Sequence, residues 1–220
     1  MHSVCRGPTP AQFYLPPGTI AHSPIAKTRR DCYNYSVKAA QYCVVAFPKL
    51  DSETQIQELR EQFPTWYYRV RPYVPVVLPF TPVTLDEIQS VSEHVGRVRR
   101  NLHPLAISFT HCIERGESLF FEIEDGRGEL VQLHMAMTGA EPQESLLSDA
   151  PMYEPQVWLG RVTDARQRAY ALAEANRIGR SLGIVDAVTL LRIEPDEEHK
   201  LVATFPFGIG RVDYYDRFTS

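Results

Sequence analysis

The 220-residue chain has few of the short signatures that tie a sequence to a chemistry. Its four cysteines, Cys5, Cys32, Cys43 and Cys112, form no C-x-x-C pair and stand at no metal-finger spacing. Free, reduced thiols and a cytoplasmic setting are the plain reading. No apolar run approaches the roughly 20 residues of a membrane-spanning helix. The first residues, "MHSVCRGPTP", have no basic stretch leading into an apolar one, so no secretory signal is expected. There is no phosphate-cradling glycine loop and no G-x-S-x-G nucleophile elbow. "FGIGR" offers only Gly208 and Gly210, after a strand and before no helix. No Cys/His/Asp cluster has metal-ligand spacing, so neither a metal nor a cofactor is called for. Net charge is −4 and the isoelectric point about 6.0, which excludes binding to nucleic acid or anionic membrane by bulk charge.

What remains is an ordinary globular composition, 44% hydrophobic and 23% charged, long enough for a sizeable core. Residues 1–40 differ from the rest. They are rich in Pro, Gly, Ser and Thr without periodicity, and read as an extended N-terminal arm with Phe13, Tyr14 and Ile20 as packing points, with disorder as the alternative. Residues 41–220 read as the folded body. "YCVVAFP" is a strand ended by proline. Ser52 and Gln55 form a capping box for a helix carrying Ile56, Leu59 and Phe63. Thr84 and Glu87 cap a second helix, with Ile88, Val91, Val95, Val98 and Leu102 at helical spacing. "LAISFTHCIE" and "SLFFEIE" are a hairpin across Arg115-Gly116-Glu117, and "GELVQLHMAM" is a short helix. After a polar connection over 138–153, "EPQVWLGRV" is a strand. Thr163 then caps a long helix that runs to about Leu182, with Gly183 as its C-terminal cap. "IVDAVTLLRIE" and "KLVATFPFG" close the chain as a hairpin. Hairpins alternating with helices imply α+β with largely antiparallel sheet.

One strand stands out. In "VRPYVPVVLPFT", Val74, Val76 and Leu78 lie on one face, and Arg69, Arg71, Tyr73 and Pro75 on the other, because successive strand side chains alternate. Its core "RPYVPVVLP" shares the pattern Pro, polar, Val, any, apolar with "EPQVWLG" further on. With the order of elements around them, these two stretches make residues 41–208 resemble the two-histidine (2H) phosphoesterases, which include the 2′-5′ RNA ligase-like proteins. The resemblance implies a two-lobed, pseudo-twofold α+β fold. Its mostly antiparallel sheets and flanking helices would surround a central cleft. It also implies a His-x-Thr/Ser motif on each of two strands facing that cleft. There one imidazole serves as base and the other as acid on a phosphodiester, because imidazole titrates near neutral pH.

This chain departs from that pattern at all four positions. The first motif reads Tyr73-Val74-Pro75 and the second Gln156-Val157-Trp158. A phenol with an ordinary pKa near ~10 is a poor base at neutral pH. Glutamine does not titrate, proline offers no side-chain donor, and the indole ring fills space a phosphate needs. None of the seven histidines begins a His-x-Thr or His-x-Ser motif. Pro75 fits a strand position whose N–H no ladder requires.

Three functions fit these residues. The first is a 2H-fold protein without two-histidine chemistry that binds a nucleotide, an RNA end or a protein partner at the old cleft. Arg69, Arg71, Tyr73, Gln156, Trp158 and His111 are its ligand-binding candidates: rings to stack on, an amide, and guanidinium groups for phosphate. The second is an active phosphodiesterase with substitute groups, Tyr73 as acid, His111 as base and the two arginines stabilising charge. The third is a structural or regulatory protein acting through its surface, with residues 1–40 wrapping a neighbour. His134 reads as structural, and Arg97–Arg100 as cations favoured at a helix C-terminus. The oligomeric state is not set by the sequence.

Overall fold

The structure, a computed structural model, describes residues 39–63, 70–139 and 153–216. The expected arm therefore lies, apart from its last two residues, outside the described part, as do Arg69, Cys5 and Cys32. The elements run β1 (Gln41–Ala46), β2 (Lys49–Leu50), α1 (Glu53–Glu61), β3 (Val74–Phe80) and α2 (Leu85–Val98). Then follow β4 (Leu105–Arg115), β5 (Ser118–Ile123), α3 (Arg127–Thr138), β6 (Gln156–Arg161) and α4 (Ala165–Arg177). The chain ends with β7 (Ser181–Val185), β8 (Ala187–Ile193), β9 (His199–Pro206) and β10 (Asp213–Tyr214). Among the described residues no helix is long and apolar enough to cross a membrane.

The strands form two antiparallel sheets, β10-β9-β8-β1-β3 and β2-β7-β4-β5-β6. This is the expected two-lobed α+β architecture. Its consequence for function is that β3 and β6, the two motif strands, are each the edge strand of their own sheet. Val74, Val76, Val157 and Leu159 are wholly buried in the main core. By strand alternation the motif positions between them are turned out of it.

Helices cover the core side. Thr84 caps α2 as expected: its side chain accepts the Glu87 N–H at 3.3 Å, while the Glu87 carboxylate accepts the Val83 N–H at 2.8 Å. Ile88 and Val95 carry its buried stripe. On α4 the buried residues are Ala171 and Ala175, small enough to bring the helix close to β4. There Asn176 accepts the Cys112 N–H at 2.9 Å and donates to the Cys112 carbonyl at 3.1 Å. The amide thus satisfies backbone groups at the point where the β4–β5 register shifts. Arg99 is buried and donates to the carbonyls of Pro206 and Gly208 at 2.8 and 3.0 Å, so this member of the basic run ties a helix end to β9.

Several expectations are corrected. Ser52 makes no side-chain cap; its hydroxyl bonds Ser181 at 2.6 Å, joining the start of α1 to β7. The long helix is capped by Asp164 instead of Thr163, through the Gln167 N–H at 2.8 Å. It ends at Arg177, before Gly179 at φ 74°, and residues 181–185 form β7. Leu182 lies four residues beyond Ile178 and prolongs the helical stripe in the sequence. In the fold, Leu182 and Ile184 are exposed while Ser181, Gly183 and Val185 are buried, the inverse of the usual strand pattern. Gly183 is needed there because a Cβ would meet Leu50 Cδ2 at 2.5 Å and Ile107 Cγ1 at 3.2 Å. "IVDAVTLLRIE", expected as one strand, breaks at Asp186 into β7 and β8, which belong to different sheets.

Candidate functional site

The edges of the two sheets meet at one point. The Tyr73 N–H donates to the Trp158 carbonyl at 3.3 Å, and the Trp158 N–H to the Tyr73 carbonyl at 2.7 Å. An antiparallel ladder would next pair Pro75 with Gln156, two residues along each strand. Proline has no N–H to give, and the bridge stays isolated. The Pro75 carbonyl, on the same side, instead accepts the Tyr153 hydroxyl at 2.6 Å. The tyrosine ring lies stacked on His134 at 4.0 Å between centroids. His134 Nδ1 in turn lies 2.7 Å from the Val76 carbonyl, which gives that histidine the structural place expected of it.

The rings at the meeting point are packed together. Tyr73 and Trp158 lie 5.1 Å apart between centroids, and each is 6.3 Å from the His199 ring. Tyr73 also rests edge-on against Phe47 and covers the small cluster of Cys43, Val45 and Leu191 on the cleft side of its sheet. Burial pushes the Tyr73 phenol well above its ordinary range, with a smaller contribution from Cys43, and it keeps its proton at neutral pH. Burial alone pushes the Cys43 thiol up to about 12. Arg71 is exposed, 5.0 Å above the Phe47 ring and 3.9 Å from Glu53.

The joint leaves a pocket on either side. One, of about 580 Å³, is lined by Trp158, Arg161, Thr163, Gln167, Glu197 and His199 among others. The other, of about 480 Å³, is lined by Pro75, Gln156, Tyr153, Phe120, Arg115 and Glu154 among others. The structure thus packs Tyr73 against Trp158, places Arg71 over the neighbouring Phe47, and puts buried Gln156 and Pro75 in the lining of one pocket. His111 stands exposed on β4, with β5 between it and β6, and lines neither pocket. Sequence reasoning missed His199, Arg161 and Tyr153. His199 and Arg161 are 38 positions apart in the chain (199 − 161) and lie in different sheets. No local pattern connects them. Among the described residues no group of three or more His, Cys, Asp or Glu side chains is placed to hold a metal.

Two antiparallel sheets whose motif strands face each other edge to edge fit the 2H phosphoesterase fold. Residues 48–197 match the family model of the 2′-5′ RNA ligase superfamily, and the chain belongs to that superfamily. The fold is similar to that of E. coli LigT, solved with 3′-AMP, at a TM-score of 0.52 and 12% identity over 78% of this chain and 99% of that one. It is similar also to TT0787 of Thermus thermophilus, at a TM-score of 0.51 and 14% identity over 77% of this chain and 100% of the other. No curated protein is matched by sequence.

Proposed function

We propose that this chain is a 2H-fold protein that binds a small ligand beside its joined motif strands and performs no two-histidine phosphodiester chemistry. The observation that carries this reading is the Tyr73–Trp158 bridge, with packed rings where the resemblance puts a base and a phosphate-holding hydroxyl. A phenol held protonated by burial cannot take a proton at neutral pH, and Gln156 opposite Pro75 has none to exchange. The binding place is the 580 Å³ pocket beside Trp158, a volume that suits a nucleotide-sized molecule. A nucleotide-class ligand is favoured over a protein partner by that concavity, and it accords with 3′-AMP in the E. coli structure. Cys43 and Cys112 are free thiols, which fits a reducing compartment such as the cytoplasm.

The purified chain is expected to leave 2′,3′-cyclic nucleotides intact. Turnover that survives purification and is lost in Tyr73→Phe or Gln156→Ala would overturn the reading at this site. Turnover that those variants leave unchanged would move the chemistry elsewhere in the molecule.

A further inference from the structure

The second pocket at the joint, of about 480 Å³, contains a polar group that the protein leaves unanswered. Gln156 lines it and is 8% exposed. Its side-chain amide holds an acceptor oxygen beside two donor hydrogens, and a buried amide ordinarily has partners for them. Among the described residues nothing hydrogen-bonds this amide, although neither of its polar atoms is sealed from solvent.

The wall explains why no neighbour answers it. Pro75 has no N–H, and its carbonyl is already taken by the Tyr153 hydroxyl at 2.6 Å. That bond also uses the proton of the one hydroxyl in the lining. Arg115 and Glu154, the two charged groups of the lining, are paired with each other at 2.5 Å. Arg127 stands 3.9 Å from the same carboxylate. The remaining side chains, Leu78 and Phe120, are apolar. Leu78 is 60% exposed, an apolar wall that the fold itself does not cover. The Tyr153 ring lies flat on His134, inclined by 9°, which holds that side of the pocket in place.

An acceptor beside a donor is matched by a donor beside an acceptor, and a neutral carboxamide presents that edge. A carboxylate or a ketone only accepts, and leaves the Gln156 oxygen without a donor. An amidinium only donates, and leaves the Gln156 N–H groups without an acceptor. The other side of such a ligand would meet Pro75, Leu78 and Phe120, which favour an apolar body.

We propose that this pocket is a binding site for a small neutral molecule that carries a carboxamide on an apolar body, with Gln156 pairing the amide edge. It is separate from the pocket beside Trp158 and does not depend on what binds there. Pro75 has a part in it by presenting no N–H that could satisfy Gln156 from within the protein.

The test uses the full chain and four probes of nearly one shape: benzamide, benzoate, benzamidine and acetophenone. Two-dimensional NMR titration reads all four, and the Gln156 side-chain signal is assigned by its absence in Gln156→Leu. Benzamide is expected to move that signal. It should also bind at least about 5-fold tighter than each of the other three, the lower end of what an unpaired buried polar group costs. Gln156→Leu should remove that preference, and Leu78→Ala should weaken all four probes alike. The probe series is read on the unaltered chain, so it decides the matter even where a variant fails to fold. Any of the other three binding as tightly as benzamide would overturn the proposal; benzoate binding tightest would mean that Arg115 governs the pocket. Benzamide that leaves the Gln156 signal unmoved up to its solubility limit would overturn it too, as would a preference that persists in Gln156→Leu.

Discussion

The ring contact across the joint can be measured directly by a double-mutant cycle on Tyr73 and Trp158. The two backbone bonds of the bridge belong to the main chain and can persist in alanine variants. What each variant loses is its ring. Both side chains are half-buried, so each truncation is expected to cost about 2 kcal/mol, below the ~3–5 kcal/mol of a fully buried aromatic. Tyr73→Ala also uncovers Cys43, Val45 and Leu191, and belongs at the upper end of that range. The rings lie 5.1 Å apart and inclined by 39°, within the geometry of a favourable aromatic pair worth about 0.5–1.5 kcal/mol beyond burial. The double variant should therefore fall short of the summed singles by about 1 kcal/mol. Urea unfolding of the four proteins gives that difference, and thermal unfolding should show each single variant lowered by about 4–8 °C. If the two losses add to within ~0.3 kcal/mol, the rings do not hold the lobes together, and the account of the joint fails.

Gly183→Ala should destabilise by about 1–3 kcal/mol in urea unfolding, because its Cβ would press on the Lys49 carbonyl at 3.3 Å as well as on Leu50 and Ile107. Asn176→Ala strips both partners from the Cys112 backbone at the β4 irregularity and should cost about 1–3 kcal/mol; an unchanged midpoint would mean that other groups replace the amide. Cys43 and Cys112 are both raised to about 12 by burial, from 9.0. Their contribution is complete below pH 9 and is lost as pH rises from 9 to 12, where the unfolded chain gives up thiol protons that the folded chain keeps. Each thiol steepens the fall by at most about 1.4 kcal/mol per pH unit, so Cys43→Ala should flatten the alkaline limb of stability against pH.

The motif strands were legible because two independent signals coincide on them: alternation, with Val74 and Val76 or Val157 and Leu159 on one face, and the Pro-x-Val-x-apolar pattern repeated in both. Thr84 was legible because a capping box is a local device whose partners lie within three residues. β7 was not legible, since packing reversed its alternation. Gly183 and Ser181 are buried because Leu50 and the Ser52 hydroxyl come up against them, and neither contact is visible near them in sequence. The pocket was only half legible. Trp158 announced itself by standing in a motif position. His199 and Glu197 reach the same wall only through the β8–β9 pairing, Ile193 against His199, and the order of a five-stranded sheet. Tyr153 fell at the end of a polar connection whose sequence gives no reason to bring it onto Pro75.

Pro75 gives the joint its width. Two unpaired sheet edges facing one another are templates for continued pairing. From Tyr73–Trp158 the ladder has an open direction toward Pro75 and Gln156, where a residue with an N–H could offer it to the Gln156 carbonyl. Proline removes that donor, and the remaining carbonyl is taken by Tyr153. The two edge strands are thus bridged at one residue pair and unpaired beyond it, and the 480 Å³ pocket lined by Pro75 and Gln156 lies on that side. On the other side the Trp158 ring and the Arg161–Glu197 tie bound the 580 Å³ pocket. A proline in mid-strand, costly in a central strand, is here the residue that keeps two edges joined without letting them merge. Replacing it with threonine would restore the N–H along with the hydroxyl. The gain to look for first is therefore protection of the residue 75 amide from hydrogen exchange, with the smaller pocket narrowed as the ladder lengthens by one pair.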